Sequence, residues 1–208
     1  MGNTVVDALL YARAKIGNDY QPIDADVSAL PADKKLVLAT MHRRENIGAP
    51  MHNVLRALRT LAGDGDKVIA LPVHLNPQVR GDVLHYLGGA PNVHLLSPLQ
   101  YPDFVYLLNR AWTVVTDSGG VQEEAPTFGL QILITRESTE RPEVVKAGFG
   151  KLVGSDYTAI VNGVRELTDG EERNLINAPN PFGRGDAAER IAARIMQRKH
   201  ACRHAHAA

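Results

Sequence analysis

Three short stretches carry side chains able to bind or move charge: His42-Arg43-Arg44-Glu45-Asn46, Asp117-Ser118-Gly119-Gly120, and Arg136-Glu137-Ser138-Thr139-Glu140-Arg141. In the second, two glycines let the backbone approach a ligand, and the helix formers that follow would present N–H groups and a positive dipole end to an anion. A phosphate suits such a turn. The same residues also allow a plainer reading, a tight turn with Asp117 or Ser118 as N-cap and Glu123 and Glu124 set favourably against the dipole. In the first stretch, a histidine and two arginines offer charge-assisted contacts to a diphosphate; alternatively Glu45 pairs with Arg44 in a solvated loop. In the third, Ser138 and Thr139 can donate to phosphate oxygens and Arg141 adds a planar cation, or the charged residues merely neutralise one another. His74 precedes Asn76-Pro77, a pair suited to the N-cap and first position of a helix, and spacing alone reads it as a hydrogen-bonded loop or core histidine. His42 and His74 lack a third ligand at a recognisable spacing, so neither a metal nor a cofactor is expected.

What must hold these residues is visible in the pattern around them. Apolar runs of strand length at 36–40, 68–73, 93–96, 112–116, 132–135 and 152–153 alternate with helical stretches at 50–61, 77–87, 102–110 and 120–128. Met51, Val54, Leu55, Leu58 and Leu61 mark one side of the first of those helices. Strands apolar almost throughout, separated by amphipathic helices, predict a parallel sheet covered on both faces: a doubly wound, Rossmann-like α/β domain. Ligands in such sheets sit outside the carboxyl ends of the strands, where all three polar stretches fall. One such loop is cheap, and three at one edge make a site.

The flanks are simpler. Val5, Val6, Leu9, Leu10 and Ile16 give residues 3–16 an apolar helical stripe in need of a partner, within a hinge segment of residues 1–18. Residues 19–34, polar and containing Pro22 and Pro31, read as a linker or extended connection to a domain at 35–199. Two further helices are expected at 157–167 and 186–199, and residues 200–208 are expected to fray. At 208 residues the chain suits one sizeable domain with extra helices. Basic and acidic residues balance at 23 each, which argues against general attraction to nucleic acid or anionic membrane. The single cysteine, Cys202, excludes an internal disulfide and fits a reducing compartment. No run reaches membrane-spanning length and no secretory cleavage signal follows the start, so a soluble, cytoplasmic protein is expected. Val6 stands where the myristoylation pattern needs Ser or Thr.

Together, His42-Arg43-Arg44-Glu45-Asn46, the run from Asp117 through Glu124 to Pro126, and Thr139-Glu140-Arg141-Pro142-Glu143 resemble the signature blocks of the non-hydrolysing UDP-N-acetylglucosamine 2-epimerases in order and spacing. The stretches Gly2 to Leu9 and Asn180 to Gly183 resemble two more, so the likeness covers nearly the whole chain. It implies a pair of Rossmann-like domains facing a cleft, the GT-B type, of which this chain resembles the C-terminal one. It further implies Ser118, Gly119 and Gly120 at the diphosphate of UDP, Glu124 at the ribose hydroxyls, and His42 facing the leaving diphosphate as a catalytic group. Arg141 would stand at the phosphate or the closed-cleft contacts. Arg43 and His74 match positions near a domain-interface site, where a second substrate molecule activates bacterial relatives.

The reaction so implied interconverts UDP-N-acetylglucosamine and UDP-N-acetylmannosamine by eliminating UDP and re-adding it to the other face. Its proton-transferring carboxylates belong to the family's N-terminal domain, so that domain or a second copy of the chain is the expected partner, and the chain alone is not expected to turn over. Its exposed stripe at residues 3–16 is then expected to favour self-association. Departures from the pattern are Met41, where a small residue is usual, and Arg184 and Asp186, where Asp and Lys are common. A UDP-sugar binding module without catalysis and a glycosyltransferase half are the alternatives; the histidine block and the Ser118 to Glu124 block favour the epimerase.

Overall fold

The computed structural model describes residues 2–43, 46–170, 175 and 177–205, with side chains as far as residue 197. Two helices come first, α1 (Thr4–Ile16) and the short α2 (Ala25–Ser28). Then strands and helices alternate: β1 (Lys35–Thr40), α3 (Ala49–Ala62), β2 (Lys67–Pro72), α4 (Pro77–Leu87), β3 (Val93–Leu96), α5 (Tyr101–Arg110) and β4 (Thr113–Thr116). The chain continues through α6 (Gly119–Glu124), a 3-10 turn at Ala125–Phe128, β5 (Gln131–Ile134), α7 (Pro142–Lys146), β6 (Gly150–Leu152), α8 (Tyr157–Thr168) and α9 (Ala187–Ala205). Proline sets the entry to several helices: Pro77 and Pro142 open α4 and α7, where a missing N–H costs nothing. Asn76 caps α4 by accepting from the Gln78 N–H at 2.9 Å.

All paired strands run parallel, in the order β3-β2-β1-β4-β5-β6. Alternate residues feed two cores. Leu36, Leu38, Val114, Ile132 and Ile134 face α1, α5 and the α6 turn, whereas Val37, Ala39, Val115 and Leu133 lie under α3, α4 and α8. The order reverses between β1 and β4, so the chain leaves their carboxyl ends toward opposite faces and a crevice opens there. Thr40 and Thr116 are paired across that point, their hydroxyls 2.6 Å apart.

Two expectations for the flanks need correction. The stripe on α1 packs within the chain: Val6 and Leu9 are buried, against α5 and α6, while Val5, Leu10 and Ile16 are half-buried. Asp7 also reaches the start of α9, accepting from the N–H groups of Ala187 at 3.3 Å and Ala188 at 2.8 Å. The segment 19–34 is a strap and not a loose linker. Val27 and Leu30 enter the core, and the buried Asp103 on α5 accepts from the Tyr20 hydroxyl at 2.8 Å and the N–H groups of Ile23 and Asp24 at 2.9 Å. Polar composition hides two core residues and says nothing of an acceptor on a distant helix. At the other end, the α9 backbone continues past residue 200 to Ala205, and residues 206–208 lie outside the described residues.

The strap has a pH signature. Burial first, then the bond to Asp103, push the Tyr20 hydroxyl up from 10.0 to about 12. A folded-state value raised above the unfolded one gives stability that is fully present below the unfolded value and lost as pH rises through the folded one. The stability of wild type relative to Tyr20→Phe should therefore fall as pH rises from 10 through about 12. Urea unfolding across that range measures it, and a constant gap would mean that the hydroxyl contributes nothing through its proton.

Candidate functional site

The loop after β1 is built on one carboxylate. Asp117, fully buried at the end of β4, accepts from the His42 N–H at 3.2 Å to each oxygen, from the Arg43 N–H at 3.0 Å and from Asn46 Nδ2 at 3.1 Å. His42 Nδ1 lies 3.0 Å from Asp117 Oδ1. A proton on Nδ1 completes that bond and leaves Nε2 as the ring atom offered to the cleft, on a side chain 44% exposed. Asp117 is thus the organiser of the histidine loop and not a helix cap. Met41, unusual in the resemblance, turns inward and joins the core beneath α3.

Ser118 is the N-cap of α6, its Oγ 3.5 Å from the Val121 N–H, and its own N–H donates to Thr116 Oγ1 at 2.9 Å. The first-turn N–H groups of Gly119 and Gly120 have no partner within the helix and point out of its start. The dipole role for the two glutamates fails, because no acidic residue lies in the first turn of α6. Glu123 instead accepts from Arg141 Nε at 2.8 Å and Asn3 Nδ2 at 2.7 Å, while Glu124 accepts from the Tyr101 hydroxyl at 2.8 Å. Burial raises the Glu124 pKa above the ordinary carboxylate value.

Arg141 is brought to the glycine turn. A side-chain carbon at Gly119 would lie 3.2 Å from its Cζ, so the guanidinium occupies the space that a larger residue would need. Mutual neutralisation holds for part of the third stretch: Arg136 forks onto Glu140 at 2.8 and 2.9 Å and holds that carboxyl down to about 2. Thr139 shapes the loop, donating to Gln122 Oε1 at 2.6 Å and accepting from the Arg141 N–H at 3.1 Å. Ser138 lines a pocket with Asn46, Pro50, Thr135 and Ser155.

His74 is a loop histidine whose Nδ1 accepts from the Asn76 N–H at 3.1 Å, yet it also shares a cleft with His42, lined by Thr40, Met41, Val73 and Pro98. Arg43 Nε is buried with no hydrogen-bond partner among the described residues. The pairing of Arg44 with Glu45 lies outside the described residues. Among the described residues no group of three or more His, Cys, Asp or Glu could hold a metal, and no helix is long and apolar enough to cross a membrane. Sequence reasoning missed Asp117 as organiser, Tyr101, and the Asn3–Glu123–Arg141 chain. Only Asp117 carried a signal, by standing directly before the glycine turn.

The sheet order and the polar turns at its switch point define a doubly wound, Rossmann-like α/β domain with a crevice at the carboxyl ends of β1 and β4. Residues 1–196 match the sequence profile of the UDP-N-acetylglucosamine 2-epimerase family, and the chain belongs to that family. The UDP-N-acetylglucosamine 2-epimerase of Escherichia coli O157:H7 is 43% identical over 196 residues, 91% of this chain and 52% of that protein. S. aureus MnaA, in a co-structure with UDP, is 38% identical with a TM-score of 0.85, over 93% of this chain and 52% of its own. The Neisseria meningitidis UDP-GlcNAc 2-epimerase, bound to UDP-GlcNAc, is 36% identical with a TM-score of 0.85, over 94% of this chain and 54% of its own. The chain spans about half the length of the curated relatives it matches.

Proposed function

We propose that this chain is the C-terminal, UDP-holding half of a UDP-N-acetylglucosamine 2-epimerase. What supports this reading is the junction of β1 and β4, where Asp117, directly before the Ser118-Gly119-Gly120 turn, holds the His42 loop, and the Arg141 guanidinium lies beside Gly119. The diphosphate lies at the start of α6, where backbone N–H groups and the helix end favour negative charge. Arg141 backs the turn, its charge shared with Glu123. Glu124 accepts from the ribose hydroxyls, as a carboxylate does well.

In the elimination step the bond between carbon 1 and the diphosphate oxygen breaks, and UDP leaves with the electron pair. His42, doubly protonated, donates from Nε2 to the departing oxygens, and Asp117 stabilises the imidazolium through Nδ1. The carbon-2 proton is taken by a base of the other domain of the whole enzyme. His74 shares a cleft with His42, and it and Arg43 stand near the domain-interface site of a second substrate molecule. The product pair is UDP-N-acetylglucosamine and UDP-N-acetylmannosamine.

Calorimetry with UDP and uridine tests the anion site. UDP should bind at least about tenfold more tightly, because uridine lacks the charge that the glycine turn selects. Equal affinities would remove the diphosphate from this turn.

A further inference from the structure

If Glu124 reads a ribose, one of its oxygens must be aimed, because a buried carboxylate free to rotate selects nothing. Glu124 is 7% exposed, and its Oε1 is already taken by the Tyr101 hydroxyl at 2.8 Å. Tyr101, 39% exposed, is the first residue of α5 and reaches across to the end of α6. A phenol has a single proton to donate, so this pair has one preferred geometry. Burial, followed by the bond to Glu124, pushes the Tyr101 hydroxyl far above its ordinary value, which keeps that proton in place throughout the neutral range. Burial raises Glu124, and the tyrosine bond opposes this by favouring the ionised acceptor.

The start of α5 is itself anchored. Asp103, two residues beyond Tyr101, is buried and receives three hydrogen bonds from the strap at Tyr20, Ile23 and Asp24. Tyr101 therefore acts from a held helix end, and Oε2 is the Glu124 oxygen left for a ligand.

We propose that Tyr101 is a positioning residue that sets ribose selectivity: by occupying Oε1 it aims Oε2 of Glu124 at the hydroxyls of a ribonucleoside diphosphate. The inference rests on the placement of Glu124 at the ribose. It predicts that removing one hydroxyl, distant from the phosphates, changes the choice between ribose and deoxyribose and leaves the anion contacts alone.

The test is calorimetry on the full chain with UDP and its 2′-deoxy and 3′-deoxy analogues. Wild type should prefer UDP over at least one analogue by about tenfold, the scale of a charge-assisted hydrogen bond. Tyr101→Phe should reduce that ratio to about threefold or less, chiefly by weakening UDP, with the melting temperature little changed. Tyr101→Leu, which also drops the ring, should show the same ratio. Glu124→Gln should abolish the preference, and adding Tyr101→Phe to it should change nothing further, since the tyrosine acts only through the carboxylate. A full wild-type ratio in Tyr101→Phe, with the ratio lost in Glu124→Gln, would overturn the role of Tyr101 and leave the ribose reading standing. A ratio retained in Glu124→Gln, or near one in wild type, would remove the ribose reading and this inference with it.

Discussion

Asp117→Ala is expected to lower stability by about 3 kcal/mol, on the order of 10 °C in Tm for a chain of this size, and to abolish ordered binding in the crevice. The carboxylate is fully buried and receives the N–H groups of His42 and Arg43, the Asn46 amide and the His42 ring. Alanine leaves the His42 and Arg43 N–H groups and the His42 ring without this acceptor and the Asn46 amide with only one of its two, and each unsatisfied buried donor costs about 1–3 kcal/mol where water cannot replace the partner. Because His42 is partly exposed, water recovers some of that loss, which keeps the cost well below the sum. The loop would lose its ties to Asp117 across the switch point and keep the Asn46 bond to the Thr135 carbonyl at 3.3 Å. Asp117→Asn should rank between wild type and alanine, keeping one accepting oxygen and setting an N–H₂ against donors. Thermal unfolding, together with the histidine ring signals in NMR, measures both effects. A stability change under about 0.5 kcal/mol with an unmoved His42 spectrum would show that the histidine loop holds its shape without this carboxylate.

The purified chain is expected to leave the carbon-2 proton of UDP-N-acetylglucosamine in place in heavy water, at the rate of a protein-free control. Whole enzymes exceed such backgrounds by about 10⁶-fold or more, so the contrast is large. That proton is weakly acidic, and removing it needs a positioned base in a closed, water-poor cleft. His42 has Nδ1 committed to Asp117, 3.0 Å away, and offers only Nε2 from one side of the crevice. Such a group can assist a departing diphosphate. It cannot both take a proton from one face of carbon 2 and return it to the other. The carbon-2 proton signal is followed by NMR over time with excess chain. Exchange well above the control, and abolished by His42→Ala, would place the base within this half and overturn the division of labour proposed above.

Element type and order were legible because the determinants are local. The run Leu36 to Thr40 is apolar and too short for a helix, and every interior residue of β1 is buried, so nothing later in the chain could change its reading. Pro77 after Asn76 marks the start of α4 on the same grounds. The edge on which the polar loops gather was legible too, since parallel strands joined by right-handed crossovers put all their carboxyl ends on one side. Family signatures then narrowed the guest. The strap is the counterexample: Val27 and Leu30 lie in a polar, proline-bearing segment whose local pattern carries no trace of the core they enter.

The sequence by itself determined the α/β alternation, the strand ends and the residue types available there. Tertiary structure alone decided which of those residues meet. The order β3-β2-β1-β4-β5-β6 makes β1 and β4 neighbours, and only then can Asp117 organise a loop some seventy positions earlier, 74 in the case of Arg43. Asn3 reaches Glu123 across 120 positions, and Tyr101 reaches Glu124 across 23. Propensity, capping and periodicity act over a few residues, whereas these partners are chosen by the path of the whole sheet. Their bonds form because folding leaves each polar group beside a complement in a place from which water has been displaced.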